Sequence, residues 1–153
     1  MERLDRKILA LLARDGRMSY TDIGRATGLS TSAAQQRVRK LEQRGVITGY
    51  HAAISDAAVS RELVAFIHLR PFDPSQADDT PDRIASISEV ISCYSIAGDA
   101  SYLIKVQVEN TGALEELLAV IRTTASVSTQ TTVVLSIPYE DRPLVSELSG
   151  DDA

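Results

Sequence analysis

Three short amphipathic helices and then an alternation of strands and helices are written into the order of apolar and polar residues along this chain. Leu4, Ile8, Leu11 and Leu12 fall at i, i+4, i+7 and i+8, one stripe of a first helix spanning Glu2 to about Ala13, which Asp15-Gly16 ends. Ser19 is placed to cap a second helix, with Asp22 three residues on in the capping-box position. Ile23 and Ala26 are its inward residues, Gly28 supplies the conformation that stops it, and Leu29 plugs the turn into the core. Ser30 caps a third helix running to about Arg44 and stopped by Gly45, with Ala34, Val38 and Leu41 along one side. Val46–Tyr50 has a β-like composition, and the stretch to Ser60 reads as a connecting arm.

From Leu63 the period changes to two. Leu63–Arg70 reads as a strand ending at Pro71, and Phe72–Asp79 as a polar loop. Pro81 opens a short helix through Ile84 and Ile87. Val90–Ile96 and Tyr102–Val108 read as strands around Gly98-Asp99. In the second of these, Tyr102, Ile104, Val106 and Val108 point one way, and Lys105 and Gln107 the other. A helix begins near Thr111, with Leu114, Leu117, Leu118 and Ile121 on its apolar stripe, and Thr129–Ile137 reads as the last strand, stopped by Pro138. The fold class is α+β. An N-terminal helix-turn-helix domain precedes a ferredoxin-like βαββαβ domain, whose antiparallel sheet carries two helices on one face. The expected division is a helix-turn-helix domain over residues 1–50, a linker over 51–61, the ferredoxin-like domain over 62–142, and a loose acidic tail over 143–153.

Charge sharpens this division. Residues 1–61 hold 11 Lys/Arg against 6 Asp/Glu, whereas residues 62–153 hold 5 against 15, together the net −5 of the whole chain. A basic head on an acidic body presents only the head to a polyanion. No apolar run approaches the roughly 20 residues needed to span a bilayer, and the N-terminus lacks the apolar core of a signal peptide, so a cytoplasmic protein with no membrane partner is expected. With a single cysteine, Cys93, there is no internal disulfide. Its alternation with Ile91 suggests a small buried side chain. His51 and His68 show no metal-ligand spacing, and no nucleophile–base pair or Gly-rich phosphate loop occurs, so neither metal, cofactor nor enzymatic activity is expected.

The outward side of the third helix carries Ser32, Gln35, Gln36, Arg39, Lys40 and Gln43, without an acid until Glu42. The major groove of B-DNA admits an α-helix, and Arg and Gln pair bidentately with base edges there. Gln35, Gln36 and Arg39 are the candidate base readers, with Ser32 near the helix start. Arg37, Lys40 and Arg44 sit to the sides, at the level of phosphates. Ser30, Thr31 and the free N–H groups of the first turn can hold a phosphate too. A solvated charged helix face is the bland alternative. The small apolar inner side and the capped helix before it favour double-stranded DNA.

Taken together, LDRKILALLARDGRMSYTDIGRATGLS, RVRKLEQRGVITGY, AGDASYLIKV, LEELLAVIRT and TTVVL resemble the Lrp/AsnC, or feast/famine, family of regulators, from Leu4 to about Tyr139. The resemblance implies a winged-type N-terminal helix-turn-helix, an effector-binding and oligomerisation domain over residues 62–142, and transcriptional regulation of amino-acid metabolism. It also implies a body domain that dimerises through its sheets, dimers that assemble into octamers, and a small effector, usually an amino acid, bound between dimers. Where the family's turn commonly reads GDYDYL, this chain has Gly98-Asp99-Ala100-Ser101-Tyr102-Leu103, without one acid and one aromatic. An amino-acid ligand calls for backbone N–H groups, a carboxylate and hydroxyls in a partly dry pocket. Gly98, Asp99, Ser101 and Tyr102 offer those types, and Thr131 or Thr132 on the last strand could add hydroxyls. A plain hairpin turn accounts for Gly-Asp equally well. Because ferredoxin-like domains host many functions, a metabolite-binding protein with a protein-docking head is the rival reading, and an architectural DNA-compacting protein a further one.

Overall fold

The computed structural model describes residues 1–73 and 79–142. The expected tail over 143–153 and the middle of the expected polar loop before Asp79 lie outside the described residues. The chain divides into two compact units, Met1–Ala53 with the described residues after Pro138, and Ile54–Pro138, so the division falls within the expected arm.

The first unit holds α1 (Arg3–Arg14), α2 (Tyr20–Thr27) and α3 (Thr31–Gln43). The Oγ of Ser19 accepts the Asp22 N–H at 3.1 Å, and that of Ser30 accepts the Ala33 N–H at 3.2 Å, so both expected N-caps form. Gly28, at φ 74°, closes α2 through its left-handed conformation. Gly45, at φ 67°, does the same for α3, where the Val46 N–H reaches back to the Leu41 carbonyl at 2.9 Å. The core joins Ile8, Ile23, Ala34, Val38 and Leu41, with Leu9, Leu12, Met18, Tyr20, Leu29 and Ile47 packed around them.

Three expectations need correction in this unit. Leu4 and Leu11 lie outside its core cluster, to which α1 brings the buried Ile8 and the partly buried Leu9 and Leu12, with Asp5 buried on the same helix. Ala26 is exposed, and the second inward position of α2 is Gly24. Val46–Tyr50 forms no strand, and no β-wing follows α3 among the described residues. A strand needs a backbone partner. Here the chain turns back instead, with the Tyr50 hydroxyl donating to Glu42 at 2.9 Å and its ring beside Gly16.

The second unit is the expected βαββαβ. It comprises β1 (Leu63–Pro71), α4 (Thr80–Ile84), β2 (Val90–Ser95), β3 (Tyr102–Val108), α5 (Thr111–Ala125) and β4 (Val127–Val133), in an antiparallel sheet of order β2-β3-β1-β4. The register sets Ile67 against Ile104 and Thr131, and Leu69 against Tyr102 and Thr129. Alternation puts Ala65, Ile67, Leu69, Ile104, Val106 and Val108 on the helix side, sealed by Ile84, Leu114, Leu117, Ile121 and Ala125. No helix of the described residues is long and apolar enough to cross a membrane.

Two expectations shift here. β4 starts at Val127 and ends at Val133 rather than spanning Thr129–Ile137. Ser126, at φ 54°, turns the chain straight from α5 into the strand. At the far end, β1 begins only at Leu63. Once the Val134 N–H has bonded the Val64 carbonyl at 2.9 Å, little β1 backbone remains to pair, and Leu135 is 97% exposed. Cys93 is exposed rather than buried, because β2 is an edge strand. What burial it has still pushes its thiol pKa up.

Gly24 packs so closely that a Cβ there would lie 2.7 Å from the Leu29 carbonyl oxygen. Alanine gains about 1 kcal/mol over glycine in helix propensity, but forcing a methyl against backbone typically costs about 1–3 kcal/mol. Gly24→Ala is therefore expected to lower the denaturation midpoint of the chain. A higher midpoint in a urea titration would contradict the close approach.

Candidate nucleic-acid interface and effector loop

Side-chain placement on α3 follows from its period. Ala34, Val38 and Leu41 are fully buried, which turns the far side of the helix outward. Ser32, Gln36, Arg39, Lys40, Gln43 and Arg44 are exposed, and Gln35 is half-buried. Among the described residues no carboxylate pairs with Arg39, Lys40 or Arg44. Glu42, the acid of this face, accepts the Tyr50 hydroxyl. At the helix start the hydroxyls are locally engaged. Ser30 and Ser32 lie 3.1 Å apart, and Thr31 donates to Thr21 on α2 at 3.4 Å.

Arg37 differs from its neighbours. Its Nη1 donates to Asp5 Oδ1 and to Glu2 Oε2, both at 2.8 Å, and its side chain is only 29% exposed. The hydrogen bond to Asp5, then that to Glu2, raises the guanidinium pKa. Among the cationic candidates of α3, Arg37 is thus the one held by carboxylates. Sequence reasoning missed both acids, although the signal was present. Asp5 lies three and seven residues before Ile8 and Leu12, on the inward seam, and Arg37 sits three after Ala34 and four before Leu41.

In the second unit, Gly98, Asp99 and Ser101 belong to the β2–β3 connection at residues 96–101, longer than a two-residue turn. The Ile96 N–H bonds the Ser101 carbonyl at 3.0 Å, the Ser101 N–H bonds the Leu69 carbonyl at 3.0 Å, and Arg70 Nε donates to the Asp99 carbonyl at 2.7 Å. This loop is therefore fastened to β1, by an arginine that sequence reasoning did not single out. Its main-chain Asp99 carbonyl is used, whereas Asp99 itself is exposed. Tyr102 packs against the core on the helix side of β3. Thr132 pairs with Phe66 on β4, beyond β1 and on the opposite face, so one chain does not bring it to the Gly98–Tyr102 loop. Thr131 shares the helix face but is likewise separated by β1.

A model of the AsnC-type helix-turn-helix domain matches residues 1–42, and a model of the Lrp/AsnC ligand binding domain matches residues 62–144. The chain is 49% identical over 142 residues to the HTH-type transcriptional regulator LrpA of Mycobacterium tuberculosis, covering 93% of this chain and 95% of that protein. It is 30% identical over 149 residues to the leucine-responsive regulatory protein of Escherichia coli, covering 95% and 91%. Among solved structures it is similar to a feast or famine regulatory protein from M. tuberculosis complexed with L-methionine. The TM-score is 0.89 at 48% identity, over 94% of this chain and 97% of that one.

Tyr50 supplies a pH test of how the end of α3 is held. Burial, then its hydrogen bond to Glu42 and the charge of that group, push its pKa up to about 12, against about 10 for a free tyrosine. A raised folded-state value means the contribution is fully present below pH 10 and is lost as pH climbs towards 12. The melting temperature of the native chain is expected to fall towards that of Tyr50→Phe across this window, since lysine titration is common to both. A constant gap between the two curves from pH 9 to 12 would contradict the Tyr50–Glu42 contact.

Proposed function

As the chain belongs to the Lrp/AsnC family of transcriptional regulators, we propose that it reads double-stranded DNA sequence-specifically with α3 and is tuned by an amino acid. One observation carries the DNA reading. The outward side of α3 presents Ser32, Gln36 and Arg39 with Lys40 and Arg44 beside them, exposed and without carboxylate partners among the described residues, while its inner side is fully buried. Gln36 and Arg39 have the length and donor pattern to pair with base edges, and Gln35 reaches from a half-buried position. Ser30, Thr31, Lys40 and Arg44 hold phosphates. Arg37, although on the same helix, contributes through its position rather than through a free charge.

In this reading the chain works as a homodimer assembling to an octamer. The sheet face away from the helices supports the dimer. It carries Phe66 and Leu103, no helix of the second unit covers it, and it leaves His68 Nδ1 buried without a hydrogen-bond partner. Two α3 helices paired by symmetry would enter successive major grooves, about 34 Å apart. The effector is an amino acid held by Gly98, Asp99, Ser101 and Tyr102. The L-methionine in the M. tuberculosis relative supports that class of ligand. Thr132 takes part only if a second chain supplies it.

Selection of bound fragments from random DNA, with and without a panel of amino acids, tests both halves. Enrichment of a roughly palindromic motif that shifts with one amino acid is expected, and unenriched binding would sink sequence reading. Within that site, Arg39→Ala is expected to cost about 1–3 kcal/mol and to relax base choice at one position, whereas Lys40→Ala weakens all sequences alike and flattens the salt dependence by about one phosphate contact. Equal losses for Arg39→Ala on specific and scrambled duplexes would remove it from base reading.

A further inference from the structure

We infer that Glu2 is a built-in anionic competitor for the DNA backbone, which occupies the guanidinium of Arg37 and holds down affinity for DNA of any sequence. The inference rests on the reading of α3 as the DNA-contacting helix. Glu2, Asp5, Ala33, Gln36, Arg37, Lys40, Leu41 and Arg44 line one groove of about 430 Å³ on the first unit. The acid at the start of α1 therefore shares a surface with three of the side chains assigned to DNA, Gln36, Lys40 and Arg44.

Its two carboxylates have different work. Asp5 is 7% exposed and lies on the packing seam, so its pair with Arg37 joins α1 to α3. A single buried carboxylate already balances the one charge of Arg37. Glu2 adds a second at 2.8 Å, with a side chain 69% exposed, and makes no capping hydrogen bond to its own helix. Folding does not need this second pair, because a solvated ion pair of this kind contributes little to stability. Its effect is on the field. With Glu2 and Asp5 both charged, the Arg37 site is net negative beside Lys40 and Arg44, and a phosphate approaching it meets a carboxylate. DNA binding then depends more heavily on base contacts such as that of Arg39, which does not line this groove. Glu2 is in this sense a specificity-determining residue that touches neither base nor phosphate.

The test is equilibrium binding of the full-length chain to its selected site and to a random-sequence duplex, between 50 and 200 mM salt, for the native protein and Glu2→Gln. The variant is expected to bind both duplexes several-fold more tightly at low salt. Its slope of log affinity against log salt should steepen by about 0.9, the increment for one added phosphate contact, and its ratio of specific to random affinity should not rise. The same substitution is then made in an Asp5→Asn/Arg37→Gln background, where an amide pair replaces the buried ion pair, and there the gain is expected to disappear. An unchanged affinity and slope for Glu2→Gln would overturn the inference. So would an equal gain in both backgrounds, since the carboxylate would then act only as bulk charge. If the double-substituted background does not fold, as judged by circular dichroism, the slope of the single variant decides alone. Salt-independent binding by the native chain would instead overturn the DNA reading itself, and the inference with it.

Discussion

The first unit turns on a contact that leaves no room for a methyl group. Gly24 lies in the middle of α2 with the Leu29 carbonyl where its Cβ would be. Four residues later Gly28 adopts a left-handed conformation that reverses the chain. Between them these two glycines fix how closely α2 approaches the start of α3. Ser30 then caps α3 at once, and Leu29 is carried down into the core cluster. Packing interiors tolerate few voids or overlaps, so the angle of α3 is set by backbone against backbone rather than by adjustable side chains. Every outward residue of α3 inherits its direction from that contact.

Elements whose evidence is local were legible in the sequence. The caps at Ser19 and Ser30, the stops at Gly28 and Gly45, and the period-two pattern of Tyr102–Val108 each involve residues within a turn or strand of one another, and the structure has them. What was illegible depends on partners far along the chain. The length of β4 is decided by where β1 begins, some sixty residues earlier. The fate of Val46–Tyr50 depends on whether a neighbouring strand exists to receive it, and composition carries no word about that. Burial of Cys93 was misjudged because edge or centre is a property of strand order, not of alternation. Gly24 was seen only as part of a turn, since a close approach leaves no mark in sequence beyond the glycine itself.

The candidate interface was read in the same partial way. Periodicity alone places Ser32, Gln36, Arg39, Lys40 and Arg44 outside, and they are exposed. Counting charges cannot tell a free cation from a paired one. Residues 1–61 have a surplus of positive charge, but Arg37 sits between two carboxylates more than thirty residues away. Asp5 is buried on the inward side of α1, and it is tolerated there because a charged partner on α3 meets it. Removing Arg37 would strand Asp5 in a poorly solvated position, whereas removing Asp5 leaves Arg37 its Glu2 partner. The pair therefore ties the identity of residue 5 to that of residue 37.

Loop residues 96–101 are fastened to β1 through the Leu69 carbonyl and Arg70, so their backbone is positioned before any ligand arrives. The hydroxyls of β4 cannot reach that loop in the same chain, because β1 stands between them and Thr132 faces the other way. A loop that offers a carboxylate, a hydroxyl and backbone groups on one side only encloses a small zwitterion poorly. On the proposed reading, a second copy supplies the missing walls. If the proposed effector binds at this loop, binding and assembly are necessarily coupled, because the ligand stabilises whichever association completes its walls. Each assembly in turn fixes which α3 helices can meet one stretch of DNA together. Regulation on this proposed reading acts through oligomeric state, without any change within α3 itself.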